Sequence, residues 1–412
     1  MKFNIWEDYE YMDLPSVLSF IVDNRGKTVP TDENGNHILI ATNCIRNEHL
    51  YPLYEKIRFL NEDTYQTWFR AHPLPGDIIF VNKGTPGRVC LVPDPVDFCI
   101  AQDMMAFRVN SEIVYNKYLL AVLRSEKIQN QINATTVGDV IPHFKKQHLH
   151  EIKIPIPPMS IQKMIGDYYF LFCEKKVLSE KINRNLQEQL KAIFDAWFYK
   201  MEPFGGEEPK GTEYIPLEKL CVAVTKGTTP TTLGMSFTDE GINFIKGETI
   251  LDNHGFDRSK LSFISEDTHE KLKRSQIENG DIVFTIAGTL GRFALVDESM
   301  IPANTNQAVA IIRSKCIAPE YLYSFFLGNW HNDYYTKRIQ QAVQANLSLG
   351  TIKSLPIAVL PKVYYKEYLD IIKPLIRETK RIEAENMKLI ELRDSLLPRL
   401  MSGELDVSDL DI

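Results

Sequence analysis

The chain of 412 residues is short of several things a first reading looks for. No stretch approaches the roughly 20 consecutive apolar residues of a membrane span, so no membrane partner is expected. The opening residues "MKFNIWEDYEYMDL" are mixed and acidic rather than leader-like. A cytoplasmic protein is the expectation. Six cysteines (Cys44, Cys90, Cys99, Cys173, Cys221, Cys316) are scattered without a CxxC or a nearby His pair. That excludes a disulfide framework or structural zinc site as a design principle and leaves free thiols. Cationic excess is also missing. Lys+Arg number 47 against 54 Asp+Glu, a net charge of −7. Counting residues 1–159 and 201–362 separately gives 16 basic against 19 acidic in each. Strong autonomous nucleic-acid binding is therefore disfavoured, and any basic face has to come from local clustering.

Catalytic signatures are equally scarce. The only Pro-Pro, at 157–158, is flanked by Ile156 and Met159, which gives no Asn/Asp-Pro-Pro-aromatic methyltransferase motif. Glu151-Ile152-Lys153 resembles a nuclease acid-x-Lys, yet residues 354–356 at the matching place read Ser-Leu-Pro. "GTPGR" lacks the Gly-Lys-Ser/Thr of a Walker loop.

What the sequence has is itself, twice. Residues 56–92, "KIRFLNEDTYQTWFRAHPLPGDIIFVNKGTPGRVCLV", align without a gap on 260–296, "KLSFISEDTHEKLKRSQIENGDIVFTIAGTLGRFALV". "HILIATNCI" (37–45) lies over "INFIKGETI" (242–250), Gln102 over Gln307, and "LHEIKIPIPP" (149–158) over "IKSLPIAVLP" (352–361). A repeat of about 200 residues is far longer than a solenoid period and means two homologous domains. Short β-branched and aromatic runs ("HILIA", "DIIFV", "FALV", "AVAII") predict strands, and 320–343 predicts a helix. The fold class expected is α+β, with a mostly antiparallel, barrel-like sheet in each copy.

Each copy ends in a long helical pattern, 160–198 and 362–400. Three- and four-residue steps bring Ile182, Leu186, Leu190, Ile193 and Trp197 onto one stripe, and Ile382, Leu389 and Leu396 onto another. Helices of roughly 50–60 Å need a partner, and each is the other's obvious one in an antiparallel coiled coil. Asn183 and Asn386 occupy equivalent positions, either as buried register-setters or as exposed residues. Pro374 is expected to kink the second helix or mark its start. The expected division is a domain at 1–159, a helix at 160–200, a linker at 201–214, a domain at 201–362, a helix at 363–401, and an acidic, frayed tail at 402–412.

This layout resembles the specificity (S) subunit of type I restriction–modification systems. The carriers are the duplicated plan, the "GTPGR" and "GTLGR" turns, "IPIPPMSIQKMI" before the first long helix and "LRDSLLPRLMSGEL" at 392–405. The second proline-rich lead-in, "AVLPKVYYKEYL", lacks the usual Gln. The resemblance implies two target recognition domains reading halves of a split double-stranded DNA site, held apart by the helices. It implies two modification subunits that bind S-adenosylmethionine and methylate adenine, and restriction subunits that use ATP and Mg. No catalytic residue, cofactor or metal is then expected on this chain. Half-sites would be spaced on the order of one helical turn, about 34 Å, and the target adenine would be flipped out by the modification subunit. The rivals are a stand-alone DNA-binding protein, a single-chain methyltransferase and a scaffold without methyltransferase partners.

Residues shared by both copies should serve scaffold or sequence-blind phosphate contact, and divergent ones should read bases. Arg88 and Arg292 follow the glycine turn in both copies, and two roles stand open, structural pairing or phosphate contact. The divergent centre, 81–83 against 285–287, puts forward Asn82, Lys83 and Thr285. The remaining DNA-contact candidates are Lys27, Thr28, Asn43, Arg46, Thr85, Lys145 and Lys146 in the first copy. In the second they are Lys226, Thr228, Lys246, Glu248, Thr289, Asn346 and Ser348.

Overall fold

A computed structural model describes residues 3–24, 28–138, 141–328, 330 and 347–405. The chain forms two compact units. One comprises residues 1–179 and 386–412, the other 180–385. Each unit therefore takes one repeat and half of each long helix, a division that cuts across the consecutive segments expected from sequence.

In the first unit, strands Leu18–Asp23, Met104–Val109, Ile78–Val81 and Val89–Leu91 make an antiparallel sheet. A smaller sheet holds Arg58–Leu60, His37–Ile40 and Phe98–Ile100, the last two parallel. The second unit repeats this plan. Cys221–Lys226, Val309–Ser314, Ile282–Thr285 and Phe293–Leu295 form one sheet. Ser262–Ile264, Ile242–Ile245, Ala303–Thr305 and Gln276–Ile277 form the other, with one parallel pair. Alternation explains the layering. Ile78 and Phe80 enter the large core of the first unit, while Ile79 and Val81 enter a small core between its two sheets. Ile282 and Phe284, against Val283, do the same in the second unit.

A two-stranded ribbon closes each repeat, Tyr11–Asp13 on Lys153–Pro155 and Glu213–Pro216 on Pro356–Val359. Matching buried tyrosines tie it to the helix behind. The Tyr118 hydroxyl donates to the Pro155 carbonyl (2.8 Å), and the Tyr321 hydroxyl to that of Ala358 (2.7 Å). The missing glutamine of the second copy is replaced in kind. Gln162 Oε1 accepts from the Tyr115 N–H (2.9 Å) at the start of helix Asn116–Arg124. At the equivalent helix Pro319–Leu327, the Tyr365 hydroxyl accepts from the Ala318 N–H (2.8 Å). Of the helix expected at 320–343, the part beyond residue 330 lies outside the described residues.

The long helices run Met159–Phe198 and Lys362–Met401. Pro374 is exposed and internal, twelve residues past the helix start, because Lys362 follows Pro361 and the helix begins there. In the second unit Leu190, Phe194, Trp197 and Phe198 share a core with Tyr368, Leu369, Ile372 and Ile376. Trp197 lies 5.2 Å from the Tyr368 ring, and Asn183 Nδ2 donates to the Thr379 carbonyl (3.4 Å), so these segments run antiparallel. In the first unit Tyr169 and Cys173 share a core with Leu400 and Met401. Ile382 and Leu389 are buried, and Leu186, Ile193 and Leu396 half-buried. Ile182 is a correction. It is 43% exposed, because the stripe shifts by one residue to Asn183.

The linker is folded rather than slack. Met201 adopts a left-handed φ of 52°, and Phe204 packs on Trp197 (5.4 Å) and Tyr364 (4.9 Å). After the second helix the backbone returns to its beginning, with the Ile5 N–H donating to the Met401 carbonyl (2.9 Å). Residues 406–412 of the acidic tail lie outside the described residues.

Truncating Trp197 to alanine removes a ring shared by both helices and the linker. The expected loss is about 3–5 kcal/mol of stability, measured by denaturant unfolding of the full chain.

Candidate nucleic-acid interface

The repeated phrase "GDI" opens a hairpin, and its aspartate explains the repetition. Gly76 and Gly280 take φ of 83° and 85°, a conformation that favours glycine. Asp77 (2% exposed) then accepts from the Leu74 N–H (2.9 Å) and from Arg108 Nε and Nη2 (3.1 and 2.9 Å). In the other copy Asp281 (0% exposed) accepts from the Glu278 N–H (2.8 Å) and from Arg313 Nε and Nη2 (2.8 and 2.7 Å). A carboxylate buried this deeply is tolerated because a fork of donors satisfies both oxygens. The pair pins the turn before the hairpin to the neighbouring strand.

At the far end of the hairpin the glycines of "GTPG" and "GTLG" carry φ between 74° and 89°. The Gly87 N–H donates to the Val81 carbonyl (3.0 Å) and that of Gly291 to Thr285 (3.1 Å), so both tips close alike. Beside each tip a second segment docks through a backbone bond common to both copies, Phe144 N–H to Asn82 carbonyl (2.8 Å) and Leu347 N–H to Ile286 carbonyl (3.0 Å), and in the first copy the Gly84 N–H also donates to the Pro142 carbonyl (2.9 Å). The same end of the first domain also gathers Lys83, in a β-bridge with His143, and exposed Lys145. Lys146 Nζ sits 3.2 Å from the Asp23 carboxylate. In the second domain the Thr228 N–H donates to the Thr305 carbonyl (3.1 Å) and the Ile286 N–H to that of Ala308 (2.8 Å). That brings Thr228, exposed Thr289 and Ser348 to one loop cluster.

Several candidates do other work. Asn82 is 1% exposed and cannot reach a base, since the strand turns its side chain inward. Thr285 is buried too, its hydroxyl donating to the Thr289 carbonyl and accepting from the Arg292 N–H. Ser348 caps helix Leu349–Lys353, accepting from the Thr351 N–H (3.0 Å). The Asn43 amide is committed to the Glu55 carbonyl (2.7 Å), and Arg46 pairs with the Glu55 carboxylate. Arg292 holds Asp252 bidentately, with Nε and Nη2 at 2.6 and 2.7 Å. Lys246 lies over the Phe237 ring at 4.6 Å, Lys226 ends its strand half-buried, and Glu248 is exposed. Thr28 is exposed, while Thr85 and Arg88 are half-buried. Lys27 and Asn346 lie outside the described residues.

Sequence reasoning missed Val137 and Ile141, exposed apolar residues flanking the Lys83–His143 bridge, with Ile141 57% exposed. No signal pointed to them, because they fall between the segments whose likeness was visible, 56–92 and 149–158. It also missed Arg108 and Arg313, although their recurrence beside a repeated aspartate was visible.

A model of the type I restriction modification DNA specificity domain matches this chain twice, over residues 7–188 and 209–392. The chain belongs to that family. It is a specificity subunit of a type I restriction–modification system. The MjaIX specificity subunit of Methanocaldococcus jannaschii is 22% identical over 348 residues, 81% of this chain and 79% of that one. The MjaVIII specificity subunit of the same organism is 22% identical over 429 aligned positions, 98% of this chain and 95% of that one. A crystal structure of the S subunit from M. genitalium shares the fold, with a TM-score of 0.57 at 16% identity over 97% of this chain and 98% of the other. No helix among the described residues of the subunit is long and apolar enough to cross a membrane.

Two outcomes follow for the subunit. Asp77→Asn or Asp281→Asn leaves a half-buried arginine facing a neutral amide, with Glu278 still beside Arg313 in the second copy, and the expected loss is about 1–3 kcal/mol in chemical unfolding. The second outcome concerns His254, stacked on Phe293 at 4.0 Å. Burial pushes its pKa down from 6.5 to about 4. The unfolded chain then binds a proton between those values that the folded one refuses. Stability is retained above about pH 6.5 and falls as pH drops toward 4, by up to roughly 3 kcal/mol. His254→Asn, which suits the φ of 63° at this position, should flatten the slope of stability against pH in that window.

Proposed function

We propose that the loop-bearing end of each domain reads one half of a bipartite double-stranded DNA target. The observation that carries this reading is the division of labour within the repeat. The Asp–Arg pair, the glycine turn and the docking backbone bond are common to both copies, while the exposed side chains around them differ. Two readers of different half-sites need that combination, a common frame and private contacts. In the first domain Lys83 and Lys145 are cations able to reach a guanine edge or a phosphate, with Ile141 beside them for a thymine methyl. Lys146 is paired with Asp23 at 3.2 Å and is the least available of the three lysines.

In this reading the subunit contributes no catalytic residue and takes no cofactor. Adenine methylation belongs to two modification subunits carrying S-adenosylmethionine, and ATP- and Mg-dependent cleavage to restriction subunits, all in the cytoplasm. A chain with a net charge of −7 shares phosphate neutralisation with those partners.

The test is co-expression with the modification subunits and sequencing of the methylated genome. Lys83→Ala with Lys145→Ala should relax or change one half of the methylated motif and leave the other half intact. An unchanged motif at unchanged occupancy would count against the assignment.

A further inference from the structure

The two copies keep an arginine directly after the hairpin tip and treat it differently. In the second domain Arg292 is fully engaged. Nε and Nη2 donate to the two Asp252 oxygens (2.6 and 2.7 Å), and Nη1 donates to the Ile250 carbonyl (3.2 Å). Carrying the alignment of 37–45 on 242–250 two residues further sets Asn47 where the second copy has Asp252. Asn47 is in place, since its Oδ1 accepts from the Val89 N–H (2.8 Å), the residue after Arg88. An amide carries no charge, and the Arg88 guanidinium makes no hydrogen bond or ion pair with any described residue. It is half-exposed on a turn whose neighbours, Gly84 and Gly87, are fixed at positive φ.

One side chain of the pair is thus neutralised by its own domain and the other is left with its full charge and five donors. A planar guanidinium presents two parallel N–H bonds that match a phosphodiester's two free oxygens, and it stays charged at any working pH. Its position beside the Lys83 loop puts it on the end of the domain already assigned to DNA.

We propose that Arg88 contacts a backbone phosphate of the first half-site, and that Asp252 withholds Arg292 from the equivalent contact in the second. The inference rests on the DNA-reading function proposed above. It adds that the two half-sites are gripped unequally, with residue 47/252 as the selector.

The experiment uses the full chain assembled with its modification subunits, and measures affinity for a duplex carrying the methylated motif across a series of salt concentrations. Arg88→Gln should lower the slope of log K against log [salt] by about one, with similar weakening on motif and non-motif duplexes. Arg292→Gln should leave the slope at the wild-type value. Asn47→Asp keeps the acceptor for Val89 and supplies the missing carboxylate, so it should reproduce the Arg88→Gln slope with Arg88 still present. That variant carries the test if Arg88→Gln folds poorly. Asp252→Asn should raise the slope by about one. A wild-type slope for both Arg88→Gln and Asn47→Asp overturns the proposal, as does an equal loss in Arg292→Gln. Salt-independent binding by the wild-type assembly would instead remove the DNA reading itself.

Discussion

A buried carboxylate gripped by an arginine fork sits under each hairpin. It ties the turn before the hairpin to the neighbouring strand, adding side-chain bonds at the end of the backbone ladder that joins the two. Asp77–Arg108 and Asp281–Arg313 satisfy both oxygens of the acid and add a backbone donor from the preceding turn. Because the pair lies on the scaffold side, loop residues at the other end of the hairpin are free to diverge. A fixed base with a variable rim is the physical requirement for building two specificities from one ancestral domain.

The second constraint is how each unit is completed. A repeat alone leaves an apolar face over its ribbon and helices, and half of each long helix covers it. In the second unit Phe194, Trp197 and Phe198 meet Tyr321, Phe325 and Tyr368 in a continuous aromatic cluster. In the first unit Ile161, Ile165, Tyr169 and Cys173, with Leu400 and Met401, serve the same end. The exchange of Gln162 for Tyr365 shows how the design tolerates drift. Both side chains present an oxygen to the same helix-starting N–H.

Much of this was legible from the repeat. The likeness of the two copies, gapless over 56–92 and 260–296, located the strands, the turns and the long helices, since period and glycine placement are local properties. What escaped was side-chain direction. Asn82 and Thr285 diverge between copies and are polar, yet Asn82, one residue past its strand, and Thr285, the last residue of its own, are both turned inward. Divergence alone could not distinguish a polar residue turned inward from one facing solvent. Ile182 failed for a related reason. The apolar stripe was drawn through Ile182, while Asn183, left open between a buried and an exposed role, is the residue whose amide spans to the facing helix. The Arg88/Arg292 contrast was invisible for another reason, because identical letters concealed unlike partners 40 residues upstream.

The hydrogen bond from Ile5 to Met401, and Gly403 lying directly against Phe3 at a φ of 70°, carry a consequence for biosynthesis. A ribosome makes the 180–385 unit as one uninterrupted piece, which can collapse while translation continues. The other unit waits, because its last wall, from residue 386 onward, is made only after the whole of 180–385. A nonsense codon shortly before residue 386 would spare the half made in the middle and leave the half made first unfinished.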